Sequence, residues 1–87
     1  MEAKTKIVVF QRKALKQLRK IPTGAEIRRK CDDLAYFPYC ANIKALTNHQ
    51  YDYRFRVGNY RIFFNIEGET MNIVSIEEVK KRDERTY

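Results

Sequence analysis

Tyr53-Arg54-Phe55-Arg56-Val57-Gly58-Asn59-Tyr60-Arg61-Ile62-Phe63-Phe64 decides how this chain of 87 residues is read. Aromatic and β-branched residues alternate with arginine, the period-two pattern of a strand with one buried and one charged face. Gly58-Asn59 supplies the positive-φ positions of a two-residue hairpin turn, so a second strand folds straight back on the first. That register sets Val57 against Tyr60, Arg56 against Arg61 and Phe55 against Ile62. Tyr53, Phe55, Val57, Tyr60, Ile62 and Phe64 then share one face, and Arg54, Arg56 and Arg61 share the other. Like charges placed directly opposite each other destabilise a sheet. The arrangement makes most sense around a bound anion.

Working outward, Lys6-Ile7-Val8-Val9-Phe10 is an apolar run long enough for one strand buried in a sheet. From Gln11 to Ile21 the period changes to helical, with Ala14, Leu15, Leu18 and Ile21 on one face, and Pro22 ends the segment. Thr23-Gly24-Ala25-Glu26 matches a capping box, so a second helix is expected from there. Its apolar stripe is Ile27, Cys31, Leu34 and Ala35 or Tyr36, closed by Pro38. Residues 39–50 read as loop, with Ile43 and Leu46 spaced to touch the core. After the hairpin, Glu67-Gly68-Glu69 makes a turn and Met71 to Ile76 a third meander strand. Glu77 to Tyr87 alternates in charge without apolar periodicity and reads as a short turn of helix or an extended end. The expected fold is α+β in one domain, 1–87. An N-terminal strand, a helical hairpin and a three-stranded antiparallel meander form one four-stranded sheet. The helices cover the aromatic side and leave the arginine side open.

The formal net charge is +7 and the pI about 9.6. Residues 1–50 hold eleven lysines and arginines against four acids, whereas 51–87 hold seven of each, so the excess lies wholly in the first half. A basic balance of this kind points to a polyanionic partner. Nucleic acid fits better than a membrane, because no helix joins a basic face to a large exposed apolar one. No apolar run approaches the roughly 20 residues of a membrane span and the N-terminus lacks a signal-peptide pattern, so a cytoplasmic location is expected. Cys31 and Cys40 have no metal-type spacing and read as free thiols, Cys31 in the core. No P-loop, nucleotide-binding glycine pattern, HExxH or CxxC occurs, and no cofactor or metal is expected.

Arginine offers a planar fork of donors that matches phosphate oxygens in pairs and stays charged at any working pH. Arg54, Arg56 and Arg61, with Phe63 and Tyr53 offering ring surface, suit a single RNA strand whose bases stack while its backbone is neutralised. Lys80, Lys81, Arg82 and Arg85 place further cations after the last strand, where they can fall near Arg61. On the helices, Lys13, Lys16, Lys20, Arg28, Arg29 and Lys30 are points of salt-sensitive contact to structured RNA.

The order of strand, ALKQLRKIP helix, second helix, YRFRVGNYRIFF hairpin, third strand and KRDERTY tail resembles the RelE-type toxins of bacterial toxin–antitoxin modules. The likeness covers residues 7–87. It is most specific at Tyr53 to Ile62, against a Y-R-x-R-V-G-x-Y-R-I pattern, and at the basic–acidic segment ending in tyrosine. It implies a small α+β toxin that cuts messenger RNA in the ribosomal decoding site until a cognate antitoxin masks it. It also implies contact with promoter DNA only through the antitoxin. By the same resemblance, Arg54, Arg56 and Arg61 match cationic active-site positions, and Lys81 or Arg82 matches a tail arginine. Tyr87 matches a C-terminal tyrosine that acts at the scissile nucleotide. Relatives often carry lysine at the positions of Arg54 and Arg56, or a histidine or glutamate as base nearby; arginine, with a pKa above about 12, is a poor base. The base stays open among His49, Tyr87, Glu78, Asp83 and no residue at all. ParE toxins share the fold and poison DNA gyrase instead, and a non-catalytic RNA-binding module is a further alternative.

Overall fold

The computed structural model describes residues 6–82. In chain order the elements are β1 (Ile7–Phe10), α1 (Arg12–Arg19), α2 (Gly24–Lys30), a 3-10 stretch (Cys31–Tyr36), β2 (Ile43–Ala45), β3 (Tyr53–Val57), β4 (Tyr60–Glu67) and β5 (Ile73–Lys81). One mixed sheet has the order β1-β5-β4-β3-β2, so five strands stand where four were expected. The added strand is β2, in the stretch read as loop. Ile43 pairs with Phe55, Lys44 with Arg54 and Ala45 with Tyr53. Three residues are too few to show a period, and Asn42 and Asn48, both at positive φ, bracket them with turn chemistry.

The central hairpin has the expected register, with Val57 opposite Tyr60, Arg56 opposite Arg61 and Phe55 opposite Ile62. Its turn needs one left-handed residue rather than two: Gly58 has φ 56°, and Asn59 is not among the positive-φ residues. β1 pairs in parallel with β5 at the sheet's edge, from Ile7 against Ile73 to Phe10 against Ile76. It is therefore not buried on both sides: Ile7 remains 60% exposed and Val9 38%.

The helices lie on the aromatic side. Ala14 and Leu18 of α1, Ile27 of α2, and Cys31 and Leu34 of the 3-10 stretch pack on Phe55, Ile62, Phe64, Ile66, Val74, Ile76 and Val79. Each covered leucine, isoleucine, valine or phenylalanine among them contributes roughly 1.5–3 kcal/mol. Burial also pushes the Cys31 thiol up to about 12, with Asp32 and Asp33 adding to the shift, so it serves as a core residue. The capping box does not form. Thr23 occupies the N-cap position of α2 but has φ −97° and ψ 21° and makes no side-chain cap bond. A tight turn closed by Gly24 N–H on the Ile21 carbonyl (2.9 Å) holds it out of the extended geometry a cap requires.

Of the two alternatives for the tail, its described part takes the extended one, because β5 continues past Ile76 through Lys81. Phe63 faces Glu78 while Phe64 faces Ile76, so Glu77 is an extra residue in a β-bulge. Without it, simple alternation from Ile76 would turn Glu78 inward and Val79 outward. With it, Val79 reaches the core against Ile62, and Glu78 stands on the open face. Past the end of β1, α1 covers the β5 edge, and the Gln17 side-chain oxygen accepts from Val79 N–H at 2.6 Å.

Candidate functional site: a cationic sheet face

The open face is built from two cross-strand rows. One is Arg56–Arg61–Lys80, three cations abreast on β3, β4 and β5. The other is Lys44–Arg54–Phe63–Glu78, from β2 to β5. Neighbouring strands lie about 4.8 Å apart, which puts the first row's three charges within roughly 10 Å.

Backbone carbonyls fix the central guanidinium: Arg61 Nη1 donates to Gly58 O (3.0 Å) and Tyr60 O (3.1 Å). Arg56 Nη2 donates to Asn42 Oδ1 at 3.3 Å. Partial burial, and then Arg54, Arg82 and Arg56, lower the Arg61 pKa from its ordinary value. Its charge is therefore held against local repulsion, a state that a bound anion relieves.

Glu78 is the buried acid of this face. Its Oε1 accepts from the Tyr51 hydroxyl at 2.8 Å and lies 3.4 Å from Lys13 Nζ, and its Oε2 lies 3.7 Å from Lys80 Nζ. Burial pushes its pKa up, but the Tyr51 hydrogen bond, Lys80 and Lys13 outweigh that, and the net shift is downward. A carboxylate so held is a counter-ion and a weak base. Hydrogen bonding to Glu78, followed by burial, raises Tyr51 to about 12.

The pair gives stability a pH dependence at both ends. Glu78, lowered from 4.5, stabilises the fold fully above that value and loses the contribution as the pH falls below it. Tyr51, raised from 10 to about 12, does so below pH 10 and loses the contribution as the pH rises toward 12. Thermal unfolding of Tyr51→Phe is expected to show a lower Tm than wild type at neutral pH. The two curves should converge as the pH rises from 10 to about 12. A difference independent of pH would show that the hydroxyl is not held in this way.

The structure sorts the residues named from sequence. Arg54, Arg56, Arg61 and Phe63 share the open face. Tyr53 does not: it stacks on Phe64 at 5.4 Å and meets Phe37 edge-on at 4.8 Å, on the helix side. The residue pairing across from Lys81 is Tyr60, whose partner Val57 lies on the aromatic face, so strand alternation turns Lys81 away from the arginines. Arg82, whose N–H donates to Asn59 O at 2.6 Å, is close enough to act on Arg61. Of the two tail alternatives, Arg82 therefore sits with the site. Lys80, one of the tail cations expected near Arg61, pairs directly across from it through the bulge's change of phase.

Among the helix cations, Lys13 reaches Glu78, and Lys30 lines a cleft with Arg56, Asn42 and Gly58. Lys16 and Lys20 continue a basic groove with Lys13 along α1. Arg28 lies over the Phe10 ring at 5.2 Å, and Arg29 lies beside Lys30, Glu26 and Asp33. Asp83, Arg85 and Tyr87 lie outside the described residues. His49 and Tyr51, which sequence reasoning did not place on this face, stand against Phe63 with ring centroids 5.4 and 5.6 Å away. No local signal marks this, since the β2–β3 loop brings them there. Among the described residues no group of three or more histidine, cysteine or acidic side chains is arranged to hold a metal ion, and no helix is long and apolar enough to cross a membrane.

The helix-backed sheet is shared with solved structures of RelE toxins. The crystal structure of the RelBE2 toxin–antitoxin complex from Mycobacterium tuberculosis matches with TM-score 0.73 at 25% identity, over 90% of this chain and 99% of that one. The archaeal RelE–RelB complex from Pyrococcus horikoshii gives TM-score 0.73 at 23% identity, over 92% and 98%. The isolated E. coli RelE toxin gives TM-score 0.72 at 18% identity, over 93% and 88%. No curated protein matches the sequence. Residues 8–85 match the family model described as "ParE toxin of type II toxin-antitoxin system, parDE", and the chain belongs to that family, within the RelE/ParE superfamily of toxins.

Proposed function

We propose that the chain is a ribosome-dependent endoribonuclease that cuts messenger RNA and so inhibits translation. The observation that carries this is the Arg56–Arg61–Lys80 row, flanked by Arg54 and Arg82, on a face the helices leave open. In the proposed reaction the ribose 2′-OH attacks the adjacent phosphate. The O2′–P bond forms, the P–O5′ bond breaks, and the 2′ proton is balanced by one delivered to the leaving 5′ oxygen.

Arg54 and Arg56 hold the scissile phosphate. Arg61 and Arg82 meet the charge that grows on its oxygens, with Lys80 beside them. Fixed donors of this kind are worth about 3 kcal/mol each in the transition state. Glu78 is occupied as a counter-ion, and His49 Nδ1 already accepts a hydrogen bond from Tyr51 N–H (3.0 Å). Neither is placed as a strong base, so the rate would rest on charge stabilisation and alignment, with the ribosome shaping the substrate. Tyr87 is assigned to the scissile nucleotide by family resemblance. The groove of Lys13, Lys16 and Lys20, with Arg28, Arg29 and Lys30 on the next helix, would dock on ribosomal RNA.

The M. tuberculosis and P. horikoshii structures are complexes of toxin with antitoxin, and a cognate antitoxin is the partner proposed for this chain. Promoter DNA would be reached through the antitoxin. A second reading, inhibition of DNA gyrase without RNA cleavage, is favoured by the ParE description of the matching family.

Primer extension on messenger taken from programmed ribosomes distinguishes the two. Codon-phased ends that appear with the protein and fade in Tyr87→Phe are expected. Intact messenger together with gyrase-dependent DNA breaks would establish the second reading, and intact messenger with unaltered DNA would refute both.

A further inference from the structure

We propose that His49 and Phe63 form a seat on which one base of the bound RNA stacks, beside the phosphate cradle; this rests on the RNA reading above. The two rings are nearly parallel, at 8° with centroids 5.4 Å apart, an offset stack. Tyr51 supports both, with centroids 5.9 Å from His49 and 5.6 Å from Phe63. Tyr51 is itself buried, and its hydroxyl is tied to Glu78. Phe63 covers one face of the imidazole, yet His49 as a residue is exposed. An exposed aromatic ring held rigidly on a second ring is what a splayed-out nucleobase needs.

Position supplies the second half of the argument. Phe63 stands directly opposite Arg54, and Arg54 opposite Lys44, so cations begin one strand away from the stack. A paired position lies about 5 Å off, which suits a phosphate attached through its ribose to the seated base.

The same geometry decides what the imidazole does. Tyr51 N–H donates to Nδ1 at 3.0 Å, which fixes the ring's orientation and leaves the proton of the neutral ring on Nε2. With one nitrogen's lone pair engaged and the other nitrogen carrying hydrogen, the neutral ring is a flat surface with one donor. It does not take the 2′ proton.

The test uses the full chain and short single-stranded RNAs carrying 2-aminopurine at successive positions. Fluorescence reports stacking, and anisotropy reports binding across a salt series. Quenching at one position is expected, lost in His49→Ala together with about tenfold weaker binding, and restored by His49→Phe. Should the alanine variant fail to fold, His49→Leu, which covers Phe63 without a π face, makes the same comparison with His49→Phe. Salt-sensitive RNA binding whose quenching is indifferent to these changes overturns the seat and leaves the RNA reading standing. Absence of salt-sensitive RNA binding also overturns the seat, while the nuclease reading stands or falls on the primer extension above.

Discussion

Arg61→Ala is expected to lower codon-phased messenger cleavage by roughly two to three orders of magnitude, the loss seen when one fixed donor to a developing oxyanion is removed. Arg61 is the middle member of the row, between Arg56 and Lys80, and two backbone carbonyls aim its guanidinium. Burial and then three neighbouring arginines depress its pKa, so the folded protein carries this charge at a cost. Removing it should leave Tm unchanged or slightly raised, since a like-charge pair across the hairpin disappears. Lost cleavage with retained Tm is the signature to look for, by primer extension and thermal unfolding on one preparation. Arg61→Lys restores a charge without the fork and should recover part of the activity. Full activity in Arg61→Ala would refute the assignment of the row to transition-state stabilisation.

Gly24→Ala carries the largest expected effect on stability. A Cβ at Gly24 would lie 2.0 Å from the Leu18 carbonyl oxygen and 3.0 Å from its carbon, backbone atoms that cannot rotate away. On an unconstrained helix the change to alanine would stabilise by up to about 1 kcal/mol. Here it must force α1 and α2 apart, displacing Leu18 and Ile27 from the core. Overpacking of this severity costs roughly 3 kcal/mol, or a fall in Tm of about 15 °C for a domain of this size. Calorimetry of the purified variant checks it, and an unchanged Tm would mean that the two helices do not meet this closely.

The hairpin was legible because its information is local: period-two alternation and one glycine turn are enough to set a register and sort two faces. The helices were legible for the same reason. What escaped the sequence depends on distant parts of the chain. Thr23 and Glu26 have the identities of a capping box, yet the turn closed on Ile21 denies Thr23 the required dihedral angles. Ile43 to Ala45 become a strand only because Phe55 to Tyr53 offer a free edge. The face of the site was readable in Arg54, Arg56 and Arg61. Lys80, Glu78 and His49 were named as candidates but their places on the face were not readable, and Tyr51 was not named at all, since a bulge in one strand and a loop from another deliver them.

That bulge makes the two faces of β5 a matter of counting. Within β5, every residue beyond Glu77 owes its side of the sheet to one surplus peptide unit, so the strand is more sensitive to length than to composition. When related chains are aligned through this segment, a one-residue gap belongs at the bulge. Placed between the bulge and Lys80, it would exchange Lys80 for Lys81 and present a different set of charges on the open face. Gain or loss of one residue there would change the surface chemistry without any substitution elsewhere in the strand.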